Sequence, residues 1–179
     1  MRFQETELAG AWVVDLEPHG DERGFFARAF CAREFADRGL STVVAQTNVA
    51  YNRRRGTVRG LHFQRQPAAE TKLVRCVRGA IWDVIIDLRD ASPTRLQHVG
   101  VTLSADNHRA LYVPKGFAHG YQTLEGGTEV LYQVDEFYAP GCESGLHYDD
   151  PVLGIRWPVE VTTVSEKDRS WPFLAAATS

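Results

Sequence analysis

Lys72-Leu-Val-Arg-Cys-Val-Arg-Gly-Ala-Ile-Trp-Asp-Val-Ile-Ile-Asp-Leu88 is the stretch that decides the fold. Two short apolar runs meet at Arg78-Gly79, and they read as two long strands that turn at the glycine and pair as a hairpin. Working outward, strand patterns recur at Trp12 to Leu16, Val43 to Tyr51, Gln97 to Leu103, Ala110 to Val113, Gly120 to Leu124 and Glu129 to Glu136. Ser92-Pro93-Thr94, Pro114-Lys115-Gly116, Gly126-Gly127 and Pro140-Gly141 supply the turn chemistry between them. One helix is expected, over Cys31 to Gly39, with Phe35 as its apolar residue. The expected class is therefore all-β in the main, a sandwich or small barrel with short peripheral helices. Neither a repeat nor a linker divides the chain, so residues 1–179 are expected to form one domain. Residues 149–179, with Pro151, Pro158, Pro172, Trp157 and Trp171, read as an irregular tail packed on the sheet.

Composition excludes several classes of function. The formal net charge of -3 lacks the basic footprint of a general nucleic-acid binder, so an anionic ligand must be met by local arginines. Asn52-Arg53-Arg54-Arg55-Gly56 is such a local run, although a short basic run ending in glycine more often marks a solvated hairpin tip. No apolar run approaches the roughly 18 residues that span a bilayer, and Met1 to Gly10 lack the pattern of a signal peptide. No membrane partner and a cytoplasmic location are the expectations. The three cysteines, Cys31, Cys76 and Cys142, are too scattered for a disulfide framework or a thiolate metal site.

Arg59-Gly60-Leu61-His62-Phe63-Gln64 places a cation and an imidazole three residues apart on a strand. Strand alternation sends Leu61 and Phe63 to one face and Gly60, His62 and Gln64 to the other. On the same inward side the pattern puts Lys72, Asp83, His119 and Tyr132, too much ionisable chemistry for a filled core. An open cleft is expected. Taken singly these residues have plain structural readings: His62 a satisfied core histidine, Lys72 an edge lysine, Tyr132 strand packing, His119 a turn ligand and Asp168 a helix cap. Taken together they describe proton transfer at carbon, with histidine as base, tyrosine as acid and lysine beside a developing oxyanion. There is no His-x-His pair for a metal-binding barrel, no Gly-x-Ser-x-Gly elbow, no P-loop and no Gly-x-Gly-x-x-Gly, so no metal and no cofactor are expected.

Across about Leu16 to Pro172 the chain resembles the dTDP-4-dehydrorhamnose 3,5-epimerase family. The blocks that carry the resemblance are Gly20-Asp-Glu-Arg-Gly-Phe-Phe, Arg59-Gly-Leu-His-Phe-Gln, Lys72-Leu-Val-Arg-Cys, Asp83-Val-Ile-Ile-Asp-Leu-Arg, Ser92-Pro-Thr, Pro114-Lys-Gly-Phe-Ala-His-Gly, Tyr132, Asp149-Asp-Pro and Ser165-Glu-Lys-Asp. The resemblance implies a double-stranded β-helix, or cupin-like jelly roll, and a homodimer that exchanges N-terminal strands. The implied activity is metal-independent epimerisation at C3 and C5 of a dTDP-linked 4-keto-6-deoxy sugar. It implies His62 as the base, Asp168 as its dyad partner, Tyr132 as the acid on the opposite face and Lys72 as the group that stabilises the enolate. His119 would line the sugar site, and Arg23 and Arg59 would hold the diphosphate. Phe26, Gln46, Asn48, Tyr138, Glu143 and Lys167 match further substrate-binding positions. Arg28 stands where the family pattern has a glutamate near the nucleobase, Gln46-Thr47-Asn48 replaces Gln-Asp-Asn, and Val49 to Thr57 is one residue longer than the commonest form. These departures fall on the nucleotide side. Three alternatives share the scaffold: a C3-only epimerase, a sugar 3,4-ketoisomerase and a non-catalytic sugar-nucleotide binding protein.

Overall fold

The structure, a computed structural model, describes residues 1–174. Residues 175–179 of the expected tail lie outside the described residues. The first half of the chain forms β1 (Arg2–Glu5), β2 (Trp12–Asp15), β3 (His19–Asp21), β4 (Gly24–Phe26), α1 (Ala32–Ala36), β5 (Gln46–Asn52), β6 (Val58–Gln64), β7 (Lys72–Arg78) and β8 (Ala80–Asp87). The second half adds β9 (His98–Ser104), β10 (Ala110–Val113), β11 (Phe117–Thr123), β12 (Thr128–Val134), β13 (Glu143–Gly145) and α2 (Glu166–Arg169). Two antiparallel sheets, in the orders β1-β2-β10-β7-β12-β5 and β13-β6-β11-β8-β9, make the double-stranded β-helix, and β3-β4 stands apart as a two-stranded ribbon.

The expected hairpin at Gly79 is corrected. β7 pairs with β10 and β12, while β8 pairs with β9 and β11, so the two runs lie in different sheets. Gly79 alone separates them and leaves no two-residue turn. Its positive φ of 71° lets the chain turn a corner where a Cβ would come within 2.6 Å of Thr128 Oγ1. Each strand carries apolar residues on both faces, and most of both faces is covered. Val74 and Cys76 of β7 meet Ile81 and Ile85 of β8 in the core between the sheets. The outward Leu73 packs with Phe35 of α1, and the outward Val84 and Ile86 pack under Leu146, Leu153, Ile155 and Trp157 of the C-terminal segment. A β7–β8 hairpin would put those inner-face residues side by side rather than facing one another.

α1 is shorter than expected, running Ala32–Ala36 with no side-chain cap from Cys31. The C-terminal segment is irregular, as its prolines imply, yet firmly tied down. Trp157 stands edge-on to Trp82, and the Gln122 amide exchanges two hydrogen bonds with the Val159 backbone. That anchoring delivers α2 to β6, where its functional side chain is used.

Candidate active site

Arg59 and His62 lie an odd number of residues apart, so a regular strand would point them to opposite faces. The structure brings them to the same cavity by a β-bulge. His119 of β11 pairs with His62 and Tyr121 with Arg59, so three steps along β6 match two along β11. Gly60 sits in the extra position at φ 124°, where a Cβ would lie 2.6 Å from Gly120 Cα and 2.9 Å from the His119 carbonyl. No side chain fits there.

His62 comes from the five-stranded sheet and is partly open to solvent. Its Nε2 lies 2.6 Å from Asp168 Oδ1, across 106 residues of chain. Ser165 caps α2 by accepting the Asp168 N–H, which frees the Asp168 carboxylate to turn inward, where the Gly60 N–H donates to Oδ2 at 3.3 Å. Burial pushes the Asp168 carboxyl up. The hydrogen bond and charge of His62, with the Gly60 and Ser165 contacts, outweigh that and hold it below the usual carboxylate range. Asp168 is therefore ionised at neutral pH and accepts from Nε2–H, leaving Nδ1 as the nitrogen able to take a proton.

The opposite wall is the six-stranded sheet. Tyr132 of β12 and Lys72 of β7 line, with His62, a cavity of about 380 Å³ that also reaches Gln46, Asn48, Gln64, Glu70, Tyr138 and Glu143. The same three side chains line a smaller adjoining cavity of about 150 Å³ with Arg59, His119 and Tyr121. Burial raises the Tyr132 phenol; the nearby Arg59 opposes this and Glu70 adds to it. The net shift is upward, which favours the protonated phenol. Lys72 Nζ lies 3.2 Å from Glu70 Oε1, with both side chains nearly buried.

Side chains flanking these cavities hold one another. His119 Nε2 lies 2.8 Å from the fully buried Asp83 Oδ1, whose Oδ2 has no hydrogen-bond partner among the described residues. Arg59 Nε donates to Asn52 Oδ1 at 2.7 Å and Nη2 to the Tyr51 carbonyl, and Asn52 in turn bonds Tyr121, whose phenol is pushed up to about 12 chiefly by burial. Tyr138 Oη donates to Glu143 Oε2 at 2.7 Å and Lys167 Nζ to Oε1 at 2.5 Å, while the Tyr138 N–H donates to Gln46 Oε1. Asn52, Tyr121 and Glu70 were not singled out from sequence. For Asn52 and Tyr121 the signal was the inward parity of their strand positions, which looks the same for a packing residue, and for Glu70, on the segment before β7, there was none.

Of the residues expected in the site, His62, Lys72, Tyr132, Asp168, Arg59, His119, Gln46, Asn48, Tyr138, Glu143 and Lys167 line these cavities or bond to residues that do. Arg23, Phe26 and Arg28 do not. Arg23 is exposed and bonded to Asp21, and Phe26 and Arg28 border a separate hollow with Glu17, His19 and Glu34. A single chain thus gathers the proton-transfer set and leaves the β3–β4 set outside it. No group of three or more His, Cys, Asp or Glu side chains placed to hold a metal lies among the described residues.

A jelly roll whose interior presents an imidazole and a phenol from facing sheets, with an ammonium beside them, defines an isomerase acting by proton transfer at carbon. The comparisons with known proteins make this specific. A profile described as dTDP-4-dehydrorhamnose 3,5-epimerase matches residues 5–176, and the chain belongs to that family. The dTDP-4-dehydrorhamnose 3,5-epimerase of Methanothermobacter thermautotrophicus is 43% identical over 173 residues, 95% of this chain and 92% of the relative. A crystal structure of the Bacillus anthracis enzyme with TDP and PPi bound superimposes with a TM-score of 0.93 at 46% identity, covering 97% of this chain and 99% of that one. A 3'-monoepimerase from Streptomyces bikiniensis in complex with dTDP-quinovose gives a TM-score of 0.88 at 33% identity, covering 94% and 85%. The protein is an epimerase of a nucleotide-linked sugar.

Proposed function

We propose that His62 and Tyr132 carry out the 3,5-epimerisation of a dTDP-linked 4-keto-6-deoxy sugar as base and acid on opposite faces of the ring. The observation that carries this reading is that the two side chains reach one cavity from different sheets. The C–H bond next to the C4 ketone breaks, its proton passes to His62 Nδ1, and the electron pair moves to the carbonyl oxygen as an enolate. Lys72 offers that oxygen an N–H and a positive charge. The Tyr132 O–H then delivers a proton to the other face of the carbon. Inversion follows from the geometry, and the phenolate and imidazolium return to their starting states through solvent. C3 and C5 both flank C4, so one base, one acid and one oxyanion site serve both centres.

On this reading Arg59 holds the diphosphate, Gln46, Asn48, Tyr138, Glu143 and Lys167 line the nucleotide side, and His119 lines the sugar. Arg23, Phe26 and Arg28 reach the nucleotide of a second protomer in a homodimer built by exchange of N-terminal strands. Support for the dimer is the isolation of β3–β4, which presents Phe25 and Phe26 to solvent at 51% and 71% exposure. A cytoplasmic location accompanies this reading; no helix among the described residues is long and apolar enough to cross a membrane.

The test is deuterium uptake from heavy water into dTDP-4-dehydro-6-deoxyglucose, followed by NMR. The parent should exchange at both C3 and C5, and His62→Ala should slow both by about a thousandfold. Tyr132→Phe should still exchange while inverting poorly, since His62 can return a proton to the face it came from. Exchange confined to C3 would make the protein a monoepimerase, and a moved ketone a ketoisomerase. Binding of dTDP with no exchange at either carbon would sink the catalytic reading.

A further inference from the structure

Glu70 lies on the segment between β6 and β7, two residues before Lys72, and it shares the main cavity with Lys72, Tyr132 and His62. Its carboxylate is divided. Oε1 faces the Lys72 ammonium at 3.2 Å, and Oε2 accepts from the Gln64 amide at 3.3 Å. Side-chain exposures of 13% for Glu70 and 11% for Lys72 put this pair largely out of water, where a charge is retained in a fixed place when its partner and its remaining lone pairs are satisfied. Gln64 is itself pinned. Its Nε2 also donates to the Ala68 and Phe137 carbonyls, and its Oε1 accepts the Ala139 N–H at 2.7 Å. Between these anchors the carboxylate has little freedom.

We propose that Glu70 is a positioning residue of the epimerisation, fixing the Lys72 ammonium where the enolate oxygen forms and tying it, through Gln64, to the segment that carries Tyr138. An ammonium has three N–H donors. One directed at Glu70 orients the others towards the cavity, so the enolate meets a donor already aimed rather than one that must be recruited from water. The Gln64 link gives the arrangement a second consequence. Phe137 and Ala139 flank Tyr138, which bonds Gln46 and Glu143 on the nucleotide side. The backbone on either side of Tyr138 is therefore bonded to the same amide that steadies Glu70. The negative charge of Glu70 also acts on Tyr132 from the loop before β7. Arg59 acts in the opposite sense from β6, and Lys72 from β7, His62 from β6, His119 and Tyr121 from β11 and Glu143 from β13 line the same cavities.

The proposal rests on the activity assigned above, so its test measures the parent alongside Glu70→Gln, which keeps the shape and removes the charge. Glu70→Gln should lower kcat for deuterium exchange by about tenfold to a hundredfold at C3 and C5 alike, as expected when a catalytic group is misplaced by about 1 Å. KM and the Kd for dTDP should stay within about twofold of the parent. Loss of a negative charge near Tyr132 should move the alkaline limb of kcat to lower pH, because one of the influences that raise the phenol is gone. In a Lys72→Gln background the same substitution should cost little more, since its effect passes through the lysine. Parental kcat in Glu70→Gln overturns the proposal. So does a loss confined to KM or dTDP binding, which would make Glu70 part of the binding surface, and so do independent losses in the double variant. Absence of exchange in the parent would instead overturn the activity on which the proposal depends.

Discussion

On the interior walls each functional side chain is held by a partner at least partly out of water, whereas on β3–β4 Arg23 is bonded to Asp21 with both side chains open to solvent. His62 is fixed by Asp168, Lys72 by Glu70, His119 by Asp83 and Arg59 by Asn52, each pair partly or wholly buried. Arg23 is 84% exposed, and Phe25 and Phe26 face solvent. The difference follows from what each region must do. Proton transfer needs atoms placed to a fraction of an ångström before substrate arrives, which a buried, cross-braced wall supplies. On the proposed dimer, a hairpin that completes its surroundings on a second copy would be free to stay unbraced in one chain.

The contrast breaks most sharply at Gly60. Its φ of 124° and the 2.6 Å approach of any Cβ to Gly120 Cα forbid a side chain, and the bulge it permits is what puts Arg59 and His62 in one cavity. Gly60→Ala should destabilise the fold by about 3 kcal/mol and lower Tm by on the order of 10 °C. Exchange activity should fall with it. A Tm within a degree or two of the parent, measured by calorimetry, would show that the bulge does not depend on the glycine.

Arg59→Ala is expected to act on ligand rather than fold. If Arg59 binds the diphosphate as proposed, removing its guanidinium should weaken dTDP binding by about tenfold to a hundredfold, since hydrogen bonds to charged groups contribute roughly 1.5–3 kcal/mol. The parent's affinity should drop as salt is raised and the variant's should drop less, because screening acts on the charge that was removed. Equal salt slopes in titration calorimetry would move the diphosphate away from Arg59.

The two regions also differ in how far the sequence disclosed them. Alternation on Val58 to Gln64 and on Lys72 to Asp87 revealed strands, an inward polar set and an open interior, because a period of two is a local property. Strand partners are not local. The β7 and β8 runs look like a hairpin by sequence, and it is the burial of both faces of each strand that sends them to opposite sheets. Asp168 was legible as the partner of His62 through the family blocks alone, since nothing in a Ser-x-x-Asp cap says where its carboxylate points. Glu70 was hidden for a similar reason. An acid in a loop reads as solvated until a buried lysine is seen beside it.

The gentlest intervention falls on the hairpin and tests whether its looseness is real. Phe26 is 71% exposed and borders a hollow that shares no residue with the cavities around His62. Truncating a side chain in that state removes little buried area, so Phe26→Ala at high dilution should leave Tm within about a degree, as for surface substitutions generally. At concentrations high enough to populate the proposed dimer, the same substitution should reduce dTDP affinity and raise the dimer dissociation constant, each by about tenfold or less. The interior wall predicts the opposite signature, with large effects that do not depend on concentration. If Phe26→Ala lowered Tm strongly at every concentration, the hairpin would belong to the fold of its own chain. If dTDP affinity and assembly were both unchanged, the nucleotide side would be complete within one protomer, and Arg23 and Arg28 would have no part in it.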